Sequence, residues 1–343
     1  MPINNERNLR ARTQLVAALR TNQAFAFTGA GVSVWAGYAS WRQVIRHLAD
    51  RVAERCGDEV NVEVVVRNNE ADPLLCAQKL GRYLGDVEFG DFVRSEFGPN
   101  GVSPSDVLYR LIGIPFKHFA TLNFDPSLEQ LHGVLGRQCG TVSSSDRRSV
   151  ARFMREMDGQ DYPRQVVHLH GIHSDTPGLI ALTEQGYRRL YRDNQWFINF
   201  LWLLAVSKRL VFMGFGFQDF DLLSSLRDAT RDIQENGLCH FAIVHLRPQD
   251  DDGPIRTQLN DRYLIEPVFY EVLGDDEHPD HRGFVELING LSDELGVTTR
   301  APEAAVPAQA EVVAPEAEDI RRAEQLGDAL LGRIDPGGGD VPA

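Results

Sequence analysis

Four polar side chains stand at the ends of two apolar runs. Asn123 and Asp125 fall two residues apart in TLNFD, and His168 and His170 do so in VVHLHG. Alternate residues of a strand share a face, so each pair is presented together. An amide such as Asn123 donates and accepts at once, which suits a ribose hydroxyl or a water. Asp125 precedes Pro126, the pattern of a helix N-cap with proline at the first helical position, and capping leaves Asn123 unaccounted for. His170 stands beside Gly171 in register with Asn123, a setting for chemistry; His168 lies deeper and reads as structural.

Two glycine turns accompany these residues. AFAF runs into Gly29-Ala30-Gly31, and RLVFM runs into Gly214 and Gly216, with Asp219 at the start of the next helix. A strand followed by a glycine turn and a helix favours anions through backbone amides and the helix dipole. Two such turns on one sheet suit a long dinucleotide, with Gly214 and Gly216 allowing close approach of its second half. The dehydrogenase fingerprint is incomplete. Its third glycine position holds Val34, and Asp50, the acid about 20 residues on, falls inside a helical pattern.

Positioning these groups requires a sheet. Apolar runs at 24–28, 116–125, 164–171, 179–183, 209–217 and 239–246 read as strands. Helical periodicity occupies 5–20, 40–55, 147–157, 184–206 and 219–236 between them. The expected fold is α/β, a doubly wound, Rossmann-like parallel sheet, whose ligands sit beyond the strands' carboxyl ends. Residues 58–113 read as a helical insertion, with VNVEVVV ambiguous between strand and helix. Residues 1–298 read as one catalytic domain. The remainder, 299–343, reads as an Ala/Pro/Glu linker, partly disordered, and a short amphipathic helix over 317–334. From Ala301 onward nine acids face three arginines.

Composition narrows the function classes. The chain of 343 residues has 43% hydrophobic and 24% charged residues, ordinary for a globular protein. A net charge of −14 argues against general nucleic-acid binding, which needs clustered Lys and Arg. No stretch has the length of a membrane span, and MPINNERNLRARTQ lacks an apolar signal core, so a cytoplasmic location is expected. The four cysteines, Cys56, Cys76, Cys139 and Cys239, form no C-x-x-C pair, which argues against structural zinc.

Taken in order, GAGVS, Gly37-Tyr38-Ala39-Ser40-Trp41, Thr121 to Asp125, Leu169-His170-Gly171, Leu182-Thr183 with Tyr187, and Gly214-Phe215 with Asp219 resemble the sirtuin catalytic core. More narrowly they resemble the bacterial sirtuin-like branch without a zinc module. The resemblance spans roughly residues 20–290. It departs from the protein deacylases of the family: both cysteine pairs are missing, Ala39-Ser40-Trp41 replaces the usual D-F-R, and Leu122 stands where glutamine is usual. These losses speak against acyl-lysine peptide binding and leave the nucleotide chemistry intact.

The resemblance implies NAD as substrate, without zinc, and cleavage of its nicotinamide–ribose bond with water as acceptor. It implies that Asn123 positions the water and ribose hydroxyls, that His170 acts as general base, and that Asp125 orients Asn123. Gly29, Ala30, Gly31 and Ser33 would hold the pyrophosphate, with Trp41, Gly214, Gly216 and Asp219 completing the nucleotide site. Members of the branch resemble effectors of anti-phage defence. That implies a homo-oligomer or a separate partner such as a HerA-type ATPase or a short Argonaute. A deacylase or ADP-ribosyl transferase, and a non-catalytic NAD or ADP-ribose sensor, are the competing readings. The acidic tail, tethered by its linker, is expected to dock and regulate or else to stay solvated.

Overall fold

Short apolar runs separated by capped amphipathic helices dictate repeated β–α units. The structure, a computed structural model, describes residues 5–99, 104–215, 217, 220–233, 239–274 and 279–299. It begins with α1 (Glu6–Arg20), β1 (Ala24–Thr28), α2 (Ala30–Trp35), α3 (Trp41–Cys56), α4 (Val62–Asn68), α5 (Pro73–Phe97) and α6 (Asp106–Gly113). It continues with β2 (Phe119–Thr121), α7 (Ser127–Val134), β3 (Cys139–Ser143), α8 (Arg147–Glu156), β4 (Arg164–His168), α9 (Glu184–Tyr191) and α10 (Gln195–Ser207). It closes with β5 (Arg209–Met213), α11 (Phe220–Ile233), β6 (His240–Leu246), α12 (Asp252–Tyr263), β7 (Ile265–Glu271) and α13 (Arg282–Glu294). Gly216, Asp219 and everything from Arg300 onward, including the tail helix read over 317–334, lie outside the described residues.

All seven strands pair in parallel, in the order β3-β4-β2-β1-β5-β6-β7. From β1 the chain first builds one side of the sheet and then crosses to build the other. The carboxyl end of β1, between β2 and β5, is therefore the switch point at which such sheets bind ligands. The pleat of β1 sends Ala24 and Ala26 to one face and Phe25 and Phe27 to the other. The first face packs on α1, α2, α6, α7 and α13; the second packs on α8 to α12. This is the doubly wound α/β arrangement that alternating elements predict.

Local sequence accounts for the element starts. Asn5 caps α1 by accepting from the Asn8 amide at 2.8 Å. Asn8 in turn pairs with both backbone groups of Phe269 and so satisfies part of the outer edge of β7. A capping box opens α3, with Ser40 and Gln43 bonding reciprocally.

The strand assignments differ in three places. Residues 179–183 form no strand: Ile180, Ala181 and Leu182 are buried in a connection whose Ala181 amide donates to the carbonyl of His170, just past the end of β4. Their hydrophobicity reflects burial, not ladder pairing. Two further strands, β3 and β7, occupy the two edges of the sheet. Edge strands tolerate polar residues and proline; CGTVS carries polar residues, and IEPVFYE carries Pro267.

The segment read as an insertion divides differently. VNVEVVV forms α4, and α3 and α5 build a separate core around Leu48, Val52, Leu80, Phe89 and Phe92. Gly85 interrupts α5 with φ 75° and ψ 170°. In contrast, α6 packs into the first face of the sheet. Among the described residues, no helix is long and apolar enough to cross a membrane.

Candidate active site

The two glycine turns meet each other at the switch point. The Gly29 amide donates to Met213 O at 2.9 Å and the Gly31 amide to Gly214 O at 3.0 Å. A β-carbon built on Gly31 would lie 2.9 Å from the Gly214 Cα, and one on Gly214 would lie 2.6 Å from the Val32 amide nitrogen. Gly214 also has a φ of 61°, which disfavours any side chain. These glycines thus let the backbones after β1 and β5 touch. Their amides are committed to that junction, contrary to the expectation that Gly29 and Gly31 offer them to a pyrophosphate. Ala30, between them, is exposed at the start of α2, a short helix ahead of α3 that sequence periodicity does not indicate.

Asn123 joins the same turn from β2. Its Nδ2 donates to the Gly29 carbonyl at 2.9 Å. Because that carbonyl only accepts, the bond fixes which end of the amide points there and leaves Oδ1 as the group with capacity for a ligand. Asp125 is buried and accepts from the Ser33 hydroxyl on one oxygen and from the Ser127 amide on the other. It therefore anchors α2 and bonds the first residue of α7, but the N-cap position falls on Pro126, one residue beyond the Asp125 that the capping reading indicates. Ser33 is itself buried and spends its hydroxyl on Asp125. Neither residue contacts Asn123 through its side chain in the way the resemblance implies for Asp125.

His170 is buried, with Nε2 at 2.9 Å from the Tyr191 hydroxyl. Its ring meets Tyr187 and Tyr191 edge-on at 5.9 and 5.7 Å between centroids. Tyr187 belongs to the motif already singled out. Tyr191 escaped sequence reasoning, although four-residue spacing in YRRLY places both tyrosines on one face of α9. Trp41 is half-buried at the first turn of α3 and packs on the helical core of α3 and α5.

His168 is fully buried, and both its ring nitrogens face acceptors. Nδ1 lies 2.8 Å from the Asn123 carbonyl and Nε2 lies 2.9 Å from Glu129 Oε1. Burial works against a charged ring here. The Glu129 carboxylate, its hydrogen bond and the Asn123 carbonyl outweigh it and raise the His168 pKa above that of an ordinary histidine. Burial likewise pushes Glu129 up, and the His168 charge and hydrogen bond hold it below an ordinary carboxyl group. Glu129 sits on α7 without any sequence signal that marks it.

All four cysteines are free thiols, and among the described residues no three His, Cys, Asp or Glu side chains converge as a metal site.

Comparison with known proteins finds similarity over much of the chain. The family model of a SIR2-like domain matches residues 117–267. The chain is 22% identical over 281 residues to the NAD(+) hydrolase ThsA of Cytobacillus dafuensis, covering 76% of this chain and 53% of that protein. It is 23% identical over 252 residues to the NAD(+) hydrolase ThsA of Acinetobacter baumannii (strain 532279), covering 72% and 48% respectively. The chain thus spans about half the length of the curated relatives it matches. The family match runs from just before β2 into β7, and over that stretch the chain is similar to a SIR2-like domain.

Proposed function

We propose that the chain hydrolyses NAD at the nicotinamide–ribose bond, giving nicotinamide and ADP-ribose. The observation that supports this reading is that Asn123 and His170 each follow the carboxyl end of one of two adjacent strands, β2 and β4, and each is oriented by a second group. The similarity to proteins named NAD(+) hydrolase supports the same substrate.

The chemistry follows from charge. When the bond from the anomeric carbon to nicotinamide breaks, its electron pair returns to the ring nitrogen and the base leaves neutral. Positive charge then develops on the ribose, as in glycoside cleavage. The leaving group needs no acid. The protein must stabilise the cation, hold a water against it and take one proton. Asn123 Oδ1, its orientation set by the Gly29 carbonyl, presents a partial negative charge to the water or ribose. His170 takes the proton as the new oxygen–carbon bond forms and returns it to solvent.

The biological role we infer is that of an effector of anti-phage defence that depletes NAD on activation. It would act as a homo-oligomer or under a separate partner such as a HerA-type ATPase or a short Argonaute. The test is purified full-length protein with NAD, alone and with the product of its neighbouring gene, following nicotinamide release with and without an acylated peptide. Release that is peptide-independent supports the hydrolase. Release only with peptide identifies a deacylase, and binding without release identifies a sensor.

A further inference from the structure

Fully buried His168 and half-buried Glu129 have no part in the chemistry above, yet they lead directly to it. Glu129 Oε1 accepts from His168 and also from the Thr141 hydroxyl on β3 at 2.9 Å. His168, fixed on β4, donates from Nδ1 to the backbone carbonyl of Asn123. Asn123 then carries the Gly29 carbonyl on its side-chain amide. A line of hydrogen bonds therefore runs from α7 through β4 and the end of β2 to the glycine turn after β1. It crosses the sheet where Asn123 has already left the ladder, since β2 ends at Thr121.

We propose that Glu129 and His168 are positioning residues for Asn123: the carboxylate fixes the imidazolium, and the imidazolium fixes the backbone from which the Asn123 side chain projects. This rests on the reading of Asn123 as a group that meets the substrate. Two observations separate it from a merely structural pair. A buried ion pair is weak evidence for stability, because desolvation offsets most of the attraction. In addition, the second Glu129 oxygen is buried without a partner among the described residues. A carboxylate held in that way is a poor stabiliser, but its other oxygen still aims His168.

The decisive variant removes the pair while sparing the core. His168→Phe alone leaves Glu129 buried and uncompensated, and loss of fold would be ambiguous. The double variant His168→Phe/Glu129→Leu replaces both with apolar groups of similar size, a change that is often neutral for stability. We expect it to melt close to the wild type, with kcat for nicotinamide release lower by roughly 10–100-fold and KM for NAD nearly unchanged, the range seen when an orienting partner is removed. His168→Asn/Glu129→Leu, which restores one N–H toward the Asn123 carbonyl, should regain much of the rate. Wild-type kcat in the first double variant overturns the proposal.

A readout without turnover keeps this separate from the functional reading. The side-chain amide resonances of Asn123 should shift and lose exchange protection in His168→Phe/Glu129→Leu. Unchanged resonances overturn the positioning role even if the protein cleaves no NAD. Shifted resonances in a protein that releases no nicotinamide retain the role and sink the hydrolase reading.

Discussion

The Tyr191 hydroxyl lies 2.9 Å from Nε2 of His170, and the two rings meet nearly perpendicular at 85°. That bond fixes the orientation of the imidazole ring. Tyr191→Phe keeps the ring contacts and deletes the bond. A neutral hydrogen bond contributes about 1 kcal/mol, so kcat/KM for NAD should fall several-fold. His170→Ala should cost on the order of 10²–10⁴-fold, the range for a general base. Nicotinamide release in both variants measures the ratio. An equal loss in each would show that the bond between His170 and Tyr191, and not proton transfer to His170, carries the effect.

Asn123→Ala removes the bond to the Gly29 carbonyl together with the group assigned to water. Because Asn123 is half-buried at a strand end, the fold should lose only about 1 kcal/mol. Nicotinamide release should disappear. Wild-type turnover in this variant would remove Asn123 from the site.

Gly31→Val and Gly214→Ala should destabilise the protein before they affect ligand binding. Each new side chain would meet backbone of the opposite turn, and Gly214 would add strain from its positive φ. Strain of this kind costs on the order of 1–3 kcal/mol. Denaturant midpoints should fall in both variants. A Gly31→Val protein with an unchanged midpoint and lost NAD affinity would show that the space belongs to the ligand instead.

Acid should unfold the protein early. Burial lowers the pKa of His118, His132, His240 and His281 to about 4. Between that value and an ordinary histidine near 6.5, the unfolded chain binds protons that the folded chain refuses. Stability contributed by these groups is therefore complete above the ordinary value and lost as pH falls toward 4. His168 has the opposite sign. Its raised pKa contributes stability at low pH that disappears as pH climbs through its folded value. Four groups outweigh one, so urea midpoints measured at pH 7, 5.5 and 4.5 should decrease in that order. A flat profile would contradict the neutral burial of these rings.

Thiol reactivity should be uneven. Burial pushes Cys139 up to about 12 and Cys239 up to about 11, and raises Cys76 as well. Only the thiolate reacts, so these three should alkylate slowly at neutral pH. Mass spectrometry after brief iodoacetamide treatment should find Cys56 modified first. Rapid labelling of Cys139 would show that its edge strand opens readily.

Much of the architecture was readable because the central strands are buried on both faces. AFAF and RLVFM carry continuous apolar residues, and such runs have few other fates in a chain of alternating helices. The edge strands were not readable for the complementary reason. CGTVS needs to satisfy only one neighbour, and Pro267 in IEPVFYE is tolerated where no second ladder demands its amide. Strand-end spacing singled out Asn123 and His170, which follow the ends of the adjacent strands β2 and β4. It could not show that the glycines face each other, since a turn built for backbone contact and one built for phosphate use the same residue. Glu129 was invisible because its partner lies in a strand 39 positions away.

The separate core of α3 and α5 has a kinetic consequence. Phe124, Ile180 and Leu182 are the points at which it engages the connections after β2 and β4. A cluster that buries most of its apolar groups within itself can open as one unit while the sheet stays closed. Amide exchange should then divide the chain into two populations, with α3 and α5 exchanging together and β1, β2 and β5 persisting to global unfolding. Because Phe124 directly follows Asn123, each opening of that unit would briefly release the neighbour of the residue we propose to meet the ligand.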